Sequence, residues 1–102
     1  MNGLHNQIVC TDGFTMSVQA SLYHYCTPRI NDAEVYARLE VGFPSTEEEL
    51  LIPYIDDFDD PDPTEAVYGW VPCRIIWEVI EKHGGLISGD LPPMFPPGGA
   101  EE

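Results

Sequence analysis

The stretch AVYGWVPCRIIWEVIEKHGG, residues 66–85, decides the predicted fold. Its first part, Ala66 to Val71, is rich in β-branched and aromatic residues and predicts a strand. Pro72 suits the first position of a helix and Gly84-Gly85 suits its end, so the second part predicts a helix. One face of that helix collects Ile76, Val79, Ile80 and His83. A strand followed by a helix with one apolar face indicates a sheet that a helix covers on one side.

Two earlier stretches alternate between apolar and polar residues, as half-buried strands do. The first runs from Ser17 to Tyr25, and the second, predicted to be the central strand, runs from Ala33 to Val41. The inward positions of the two strands are Val18, Ala20, Leu22, Val35, Ala37, Leu39 and Val41. The outward positions are Gln19, Ser21 and Tyr23 in the first strand and Glu34, Tyr36, Arg38 and Glu40 in the second. Tyr36 is therefore predicted to be an exposed aromatic residue, a type that often anchors protein interfaces.

Two local motifs predict further elements. Asp12-Gly13 is typical of a two-residue hairpin turn, so residues 1–15 form either an edge hairpin or an extension. Translation from Met16 instead of Met1 is compatible with the second alternative. Ser45 and Glu48 have the spacing of a capping box, which predicts a short helix of about two turns. Pro53 is expected to end that helix.

The predicted fold is α+β: a small antiparallel β-sheet with one main helix packed on a face and a second short helix. The predicted single domain spans residues 1–88. Residues 89–102 hold Pro92-Pro93, Pro96-Pro97 and Gly98-Gly99, and this composition predicts a flexible tail.

Acidic residues far outnumber basic residues in the chain. The chain of 102 residues has 18 Asp and Glu against four bases, which gives a formal net charge of −14. The bases are Arg29, Arg38, Arg74 and Lys82. Hydrophobic residues make up 43%, enough for a packed core. Such a charge repels nucleic acid and anionic membranes and attracts basic protein surfaces, so the expected partner is a basic protein.

Nine of the acids fall within residues 47–65, a segment with no Lys or Arg. These are the candidate partner-binding residues: Glu47, Glu48, Glu49, Asp56, Asp57, Asp59, Asp60, Asp62 and Glu65. Duplex DNA carries about one charge per 1.7 Å of axis, so closely spaced carboxylates can imitate its backbone in a basic groove. Two alternatives are a solvated linker and adaptation to high salt, although the strands from Ile8 to Tyr25 hold a single acid, Asp12.

No motif indicates catalysis, a metal or a cofactor. Counting from Asp57, Asp62 and Tyr68 occupy the positions where an EF-hand loop needs glycine and glutamate. His24 and His83 are predicted to be structural, and His24 with Cys26 lacks a third group to orient a thiol and base. The odd number of cysteines without a CxxC pair, Cys10, Cys26 and Cys73, favours a reducing compartment. A cytoplasmic monomer that is not an enzyme, and that spans no membrane, is expected.

Three segments carry a resemblance: MSVQASLYHYCTPR (residues 16–29), VGFPS (residues 41–45) and VYGWVPCRIIWEVIEKHGG (residues 67–85). With the small size and acidity, they make the chain resemble anti-CRISPR proteins of phages and mobile elements, in particular inhibitors of type I-C systems. The resemblance implies a bacterial host cell and a subunit of the CRISPR surveillance complex as partner. It also implies that an acidic, DNA-mimicking surface blocks the channel that takes up target DNA.

An acidic protein-binding module, such as an antitoxin or accessory subunit, is the alternative. Its affinity would depend on Tyr36 or other aromatic anchors more than on salt.

Overall fold

A five-stranded sheet and one α-helix make up the protein in a computed structural model that describes residues 5–56 and 62–96. The strands are β1 (Ile8–Cys10), β2 (Thr15–Gln19), β3 (Arg38–Gly42), β4 (Val67–Pro72) and β5 (Leu86–Ser88). The helix, α1, spans Cys73–Lys82, and a 3₁₀ turn spans Ile52–Tyr54. The predicted α+β fold with an antiparallel sheet is confirmed.

The strands lie in the order β4-β3-β2-β1-β5, and every neighbouring pair is antiparallel. The first four strands form a meander, and α1 then carries the chain from β4 at one edge to β5 at the other. We call the end of the sheet with the Asp12-Gly13 turn the hairpin end. Strands β1 and β3 and helix α1 end there. Strands β2, β4 and β5 begin there.

The core lies between one face of the sheet and α1. Leu39 and Val41 are fully buried, as predicted, and so are Ile76 and Val79 on the predicted apolar face of the helix. Tyr68 joins them from β4. The helix begins after Pro72 and ends before Gly84 and Gly85, which both have positive φ angles. The local signals of residues 66–85 therefore predicted this unit to within one residue, although Pro72 is the last residue of β4 and the N-cap of α1 and not its first helical residue.

The first predicted strand is shorter than expected. It ends at Gln19, because the chain turns at Ser21, whose Oγ accepts a hydrogen bond from the Tyr23 backbone N–H at 3.0 Å. Leu22, predicted to face the core, is 46% exposed. Gln19, predicted to face outward, is buried, and its side-chain amide bonds to the backbone N–H and C=O of His5.

The prediction that Tyr36 faces outward is wrong. Tyr36 is 2% exposed, and its hydroxyl donates to the Ile30 carbonyl at 2.7 Å and accepts from the Ala33 N–H. The strand begins at Arg38, so residues 33–37 belong to a loop in which strand alternation does not apply. Tyr36 therefore cannot be the aromatic anchor of the alternative function, an acidic protein-binding module.

The predicted helix at residues 45–53 is also wrong. Ser45 Oγ accepts from the Thr15 N–H at 3.0 Å instead of capping a helix, and Glu48 turns inward. In place of the second short helix, the structure has the 3₁₀ turn. Pro53 lies within this turn and does not end it.

Both termini of the predicted domain differ from expectation. The Asp12-Gly13 hairpin is confirmed, but β1 lies between β2 and β5 and is not an edge strand. No local pattern predicted β5. Residues 89–96, predicted to be flexible, lie against the body of the protein: Trp77 Nε1 donates to the Phe95 carbonyl at 2.7 Å, and the Tyr36 N–H donates to the Pro93 carbonyl. Residues 97–102 of the predicted tail lie outside the described residues.

Within residues 5–56 and 62–96, no helix has the length and apolar character that a membrane crossing requires.

Candidate functional site

Charge is divided unevenly between the two ends of the sheet. Exposed carboxylates gather on the segments at the hairpin end, and we call this surface the acidic end. Its members are Asp12, Glu47, Glu49, Asp56, Asp62, Glu65 and Glu81. The segments at the opposite end hold three of the four bases, Arg29, Arg38 and Arg74, together with the described acids Asp32, Glu34 and Asp90. The fold therefore concentrates negative charge at the end that holds one of the four Lys and Arg residues, Lys82.

Two acidic segments, residues 47–56 and residues 62–65, lie beside the start of β4. The Asp56 N–H donates to the Val67 carbonyl at 2.8 Å, which holds one segment against the start of the strand. Burial raises the pKa of Tyr68, and the charges of Glu47 and Asp62 raise it further. Charges from both segments thus act on the same side chain, so Glu47 and Asp62 lie near each other on either side of Tyr68.

A short turn fixes Asp62 at the start of the second segment. Its Oδ1 accepts from the Thr64 N–H at 2.8 Å and from the Thr64 hydroxyl at 2.7 Å, and these bonds lower the pKa of Asp62. The Glu65 N–H closes the turn on the Asp62 carbonyl. The carboxylate stays ionised and exposed next to Glu65.

The predicted partner-binding residues fall into three groups. Five are exposed at the acidic end: Glu47, Glu49, Asp56, Asp62 and Glu65. Glu48 is 1% exposed and cannot contact a partner, so its assignment to the binding surface is corrected. Asp57, Asp59 and Asp60 lie outside the described residues.

Glu48 is a buried carboxylate with a full set of partners. Its Oε2 accepts from Lys82 Nζ at 2.8 Å and from the Leu50 N–H at 3.0 Å, and its Oε1 lies 2.7 Å from His83 Nε2. Burial acts to raise its pKa, but these hydrogen bonds outweigh burial and lower it. Glu48 therefore remains an anion inside the protein.

His83 completes this network. Its Nδ1 lies 2.7 Å from Asp12 Oδ2, and its ring stacks on Phe14 with 4.0 Å between centroids. Ionised carboxylates only accept hydrogen bonds, so the contacts with Asp12 and Glu48 require both ring nitrogens to donate. Burial acts to lower the pKa of His83, but the bonds to Glu48 and Asp12 outweigh it and raise the pKa. At a pH below this raised pKa, the ring is an imidazolium.

The His83 network joins three segments of the acidic end. Asp12 belongs to the β1–β2 hairpin, Glu48 to the segment after β3, and His83 to the end of α1. Because Glu48 is tied inward, its neighbours Glu47 and Glu49 are exposed. The sequence indicated that His83 was structural, but neither the hairpin nor Glu48 could be identified as its partner from local patterns.

We predict that this network makes stability depend on pH near neutrality. The folded pKa of His83 lies above its ordinary value of 6.5, so its stabilisation is complete below about that pH and is lost as the pH rises through the raised pKa. The lowered pKa of Glu48 has the opposite sign: its stabilisation is present above 4.5 and is lost as the pH falls through the lowered value.

Urea unfolding between pH 6 and pH 8 measures the His83 contribution, because the raised pKa values of Cys10 and Cys26 lower the stability only at higher pH. The free energy of unfolding should decline over this range in the native protein, and His83→Gln should abolish the decline. His24→Gln is the matched control, because His24 bonds to the Ser21 hydroxyl and not to a carboxylate. An equal decline in all three proteins would show that His83 carries no such linkage.

The other candidate chemical groups take part in local structure. His24 Nδ1 lies 2.7 Å from Ser21 Oγ, within the turn that ends β2. Cys26 is buried, and its thiol donates to the Ser21 carbonyl at 3.2 Å. Burial raises the pKa of Cys10 and of Cys26, which disfavours the reactive thiolates. In the described part of the chain, no three His, Cys, Asp or Glu side chains are placed to hold a metal ion together.

Comparison with known proteins adds no relative. No protein-family model matches the chain, and neither the curated proteins nor the solved structures compared with it give a match.

Proposed function

We propose that this protein is an anti-CRISPR inhibitor whose acidic end imitates the phosphate backbone of DNA. It occupies the basic channel through which a CRISPR surveillance complex of the type I-C class takes up target DNA. It acts by competition, as a monomer in the cytoplasm of a bacterial host cell, and without catalysis.

One observation supports this proposal above the others. Seven exposed carboxylates share the hairpin end of the sheet, whereas three of the four bases lie at the opposite end. A solvated surface needs no such separation, because mixed charges maintain solubility equally well. A segregated negative surface produces a directional field that steers the protein toward a basic groove.

The His83 network supports the same reading of the acidic end. Like charges repel, so a flexible acidic segment would spread out. Here Glu48 is bonded to Lys82 and His83, and Asp62 is fixed within its own turn. A preorganised set of charges binds with a smaller entropic cost than a disordered one.

A gel-shift titration tests the proposal. A type I-C surveillance complex is incubated with increasing amounts of the protein, and labelled target DNA is then added. We expect the DNA-bound band to disappear as the protein concentration rises. Because exposed charges are screened over about 8 Å at physiological ionic strength, the block should weaken steeply as salt is added. Unchanged DNA binding at saturating protein would refute the mechanism for this complex.

A further inference from the structure

Trp70 is an exposed aromatic residue in a strained backbone position. It lies in β4, 47% exposed, with a φ angle of 51°. A positive φ is unfavourable for a bulky side chain, and such outliers persist where the surroundings impose them and cluster at functional sites. The strand register is also irregular here, between the positions that pair with Leu39 and Val41. The fold thus turns a large apolar side chain toward solvent.

Neighbouring residues hold the indole in place. The Tyr25 ring stacks on Trp70 with 4.8 Å between centroids, and the Trp70 N–H donates to the Tyr25 carbonyl at 3.0 Å. Gly69 permits this close approach, because a Cβ there would lie 3.2 Å from Tyr25 Cβ. The Arg29 guanidinium lies over the Tyr25 ring, 5.7 Å from its centroid. Trp70 is therefore held in its exposed position by contacts with Tyr25.

A shallow cleft of about 410 Å³ adjoins Trp70. It is lined by Pro53, Tyr54, Ile55, Asp56, Gly69 and Trp70. Tyr25, which stacks on the Trp70 indole, does not line it. Asp56 belongs to the acidic end, and none of the six lining residues is basic. The cleft combines aromatic surface with a carboxylate.

This combination selects a particular ligand chemistry. Aromatic faces attract cations, and a planar guanidinium can stack on an indole while donating two hydrogen bonds to a carboxylate. An ammonium group is a compact point charge without the planar surface for stacking. Within the molecule, the Arg29 guanidinium already makes a cation–π contact with the Tyr25 ring. We propose that the Trp70 cleft binds an arginine side chain that projects from the partner protein.

The inference rests on the proposed function in one respect, the basic character of the partner. It adds a specific contact to a surface that otherwise acts through its overall charge. Trp, Tyr and Arg are the residue types that dominate binding energy at protein interfaces. The Trp70 cleft would fix the register in which the acidic end docks, whereas the surrounding carboxylates would set the rate of encounter.

The test uses the isolated protein and two small probes, N-acetyl-arginine amide and its uncharged analogue N-acetyl-citrulline amide. Each is titrated into ¹⁵N-labelled protein, and the Trp70 indole and the Gly69 and Asp56 amide signals are followed by NMR. The arginine probe should shift these signals saturably, and the citrulline probe should not. Asp56→Asn should weaken binding of the arginine probe about tenfold, since it removes a charge-assisted bidentate pair.

Matched variants separate a built site from general attraction. Glu78→Gln removes the same charge from an exposed helix position outside the cleft, and it should change probe affinity by less than about twofold. Trp70→Ala should abolish the saturable shift at Asp56, whereas Trp70→Phe should retain part of it. Equal weakening by Asp56→Asn and Glu78→Gln, or shifts without saturation, would overturn the inference, because cations would then merely condense on an acidic protein.

Failure of this inference is distinguishable from failure of the proposed function. A protein that blocks DNA uptake but shows no selective response at Trp70 would refute the arginine site alone. A protein that binds the arginine probe at Trp70 but leaves DNA uptake unchanged would support the site and refute the surveillance complex as its partner.

Discussion

Replacing Glu48 with alanine should lower the free energy of unfolding by about 2–4 kcal/mol, somewhat less than the roughly 3–5 kcal/mol for breaking a fully buried ion pair, because Lys82 is partly exposed. The change removes the acceptor of Lys82, of His83 and of the Leu50 N–H, and it leaves a void beside the core. Lys82 is partly exposed and can be rehydrated, whereas the His83 side chain is only 14% exposed. The loss is large for a domain whose total stability is expected to be about 5–15 kcal/mol.

Urea unfolding followed by circular dichroism measures the effect. Glu49→Ala is the matched control, since it removes the neighbouring carboxylate, which is exposed, and it should cost less than about 0.5 kcal/mol. Similar values for the two variants would mean that Glu48 does not hold the acidic end together.

Glu48 also shows why the helix predicted at residues 45–53 does not form. Ser45 and Glu48 have the spacing of a capping box, but a helix of two turns is marginal without tertiary support. In the folded chain both side chains bond to distant partners instead, Ser45 to Thr15 and Glu48 to Lys82 and His83. Tertiary hydrogen bonds override the local pattern here.

The parts of the fold that were predicted correctly depend on local signals. The strand and helix of residues 66–85 carry their own start, apolar face and stop, and the Asp12-Gly13 turn needs only two residues. Strand β5, by contrast, has three residues between glycines, too few to show a period, and its partner β1 is distant in sequence. Tyr36 was assigned to the wrong side because the alternation of β3 was extended into the preceding loop.

The candidate site was predictable in composition but not in arrangement. The acidic run of residues 47–65 is evident in the sequence, and five of its members are exposed at one end of the sheet. The positions of Arg29, Arg38 and Arg74 at the opposite end follow only from the strand order. The Trp70 cleft depends on a strained backbone position that no sequence pattern indicated.

Neutralising four carboxylates of the acidic end should raise the amount of protein needed to block DNA uptake about 100-fold. The variant carries Glu47→Gln, Glu49→Gln, Asp62→Asn and Glu65→Gln. Each lost charge pair at a partly desolvated interface is expected to cost about 0.5–1 kcal/mol of binding free energy. The four losses together then weaken binding about 100-fold, since each 1.4 kcal/mol or so is a factor of ten. Asp56 is left intact, so the Trp70 cleft is preserved. The gel-shift titration gives the half-blocking concentration.

The matched control neutralises four exposed carboxylates elsewhere. They are Asp32→Asn, Glu34→Gln, Glu78→Gln and Asp90→Asn. Both variants have the same net charge, so a mechanism that depends on overall acidity predicts equal losses. If the acidic end is the binding surface, the half-blocking concentration of the control should rise less than about tenfold, because only long-range steering is weakened. If the control loses as much activity as the first variant, the position of the charges does not matter.

The order in which the complex meets DNA and inhibitor tests the central claim most directly. The same gel-shift titration is run with the protein added before the target DNA and, in parallel, with the DNA bound first. Binding of the labelled protein to the complex is recorded in both cases. If the acidic end occupies the DNA channel, the protein binds the free complex and fails to bind the complex loaded with DNA. Equal binding to the free and loaded complexes would contradict the account, because a mimic of the DNA backbone cannot share the channel with DNA.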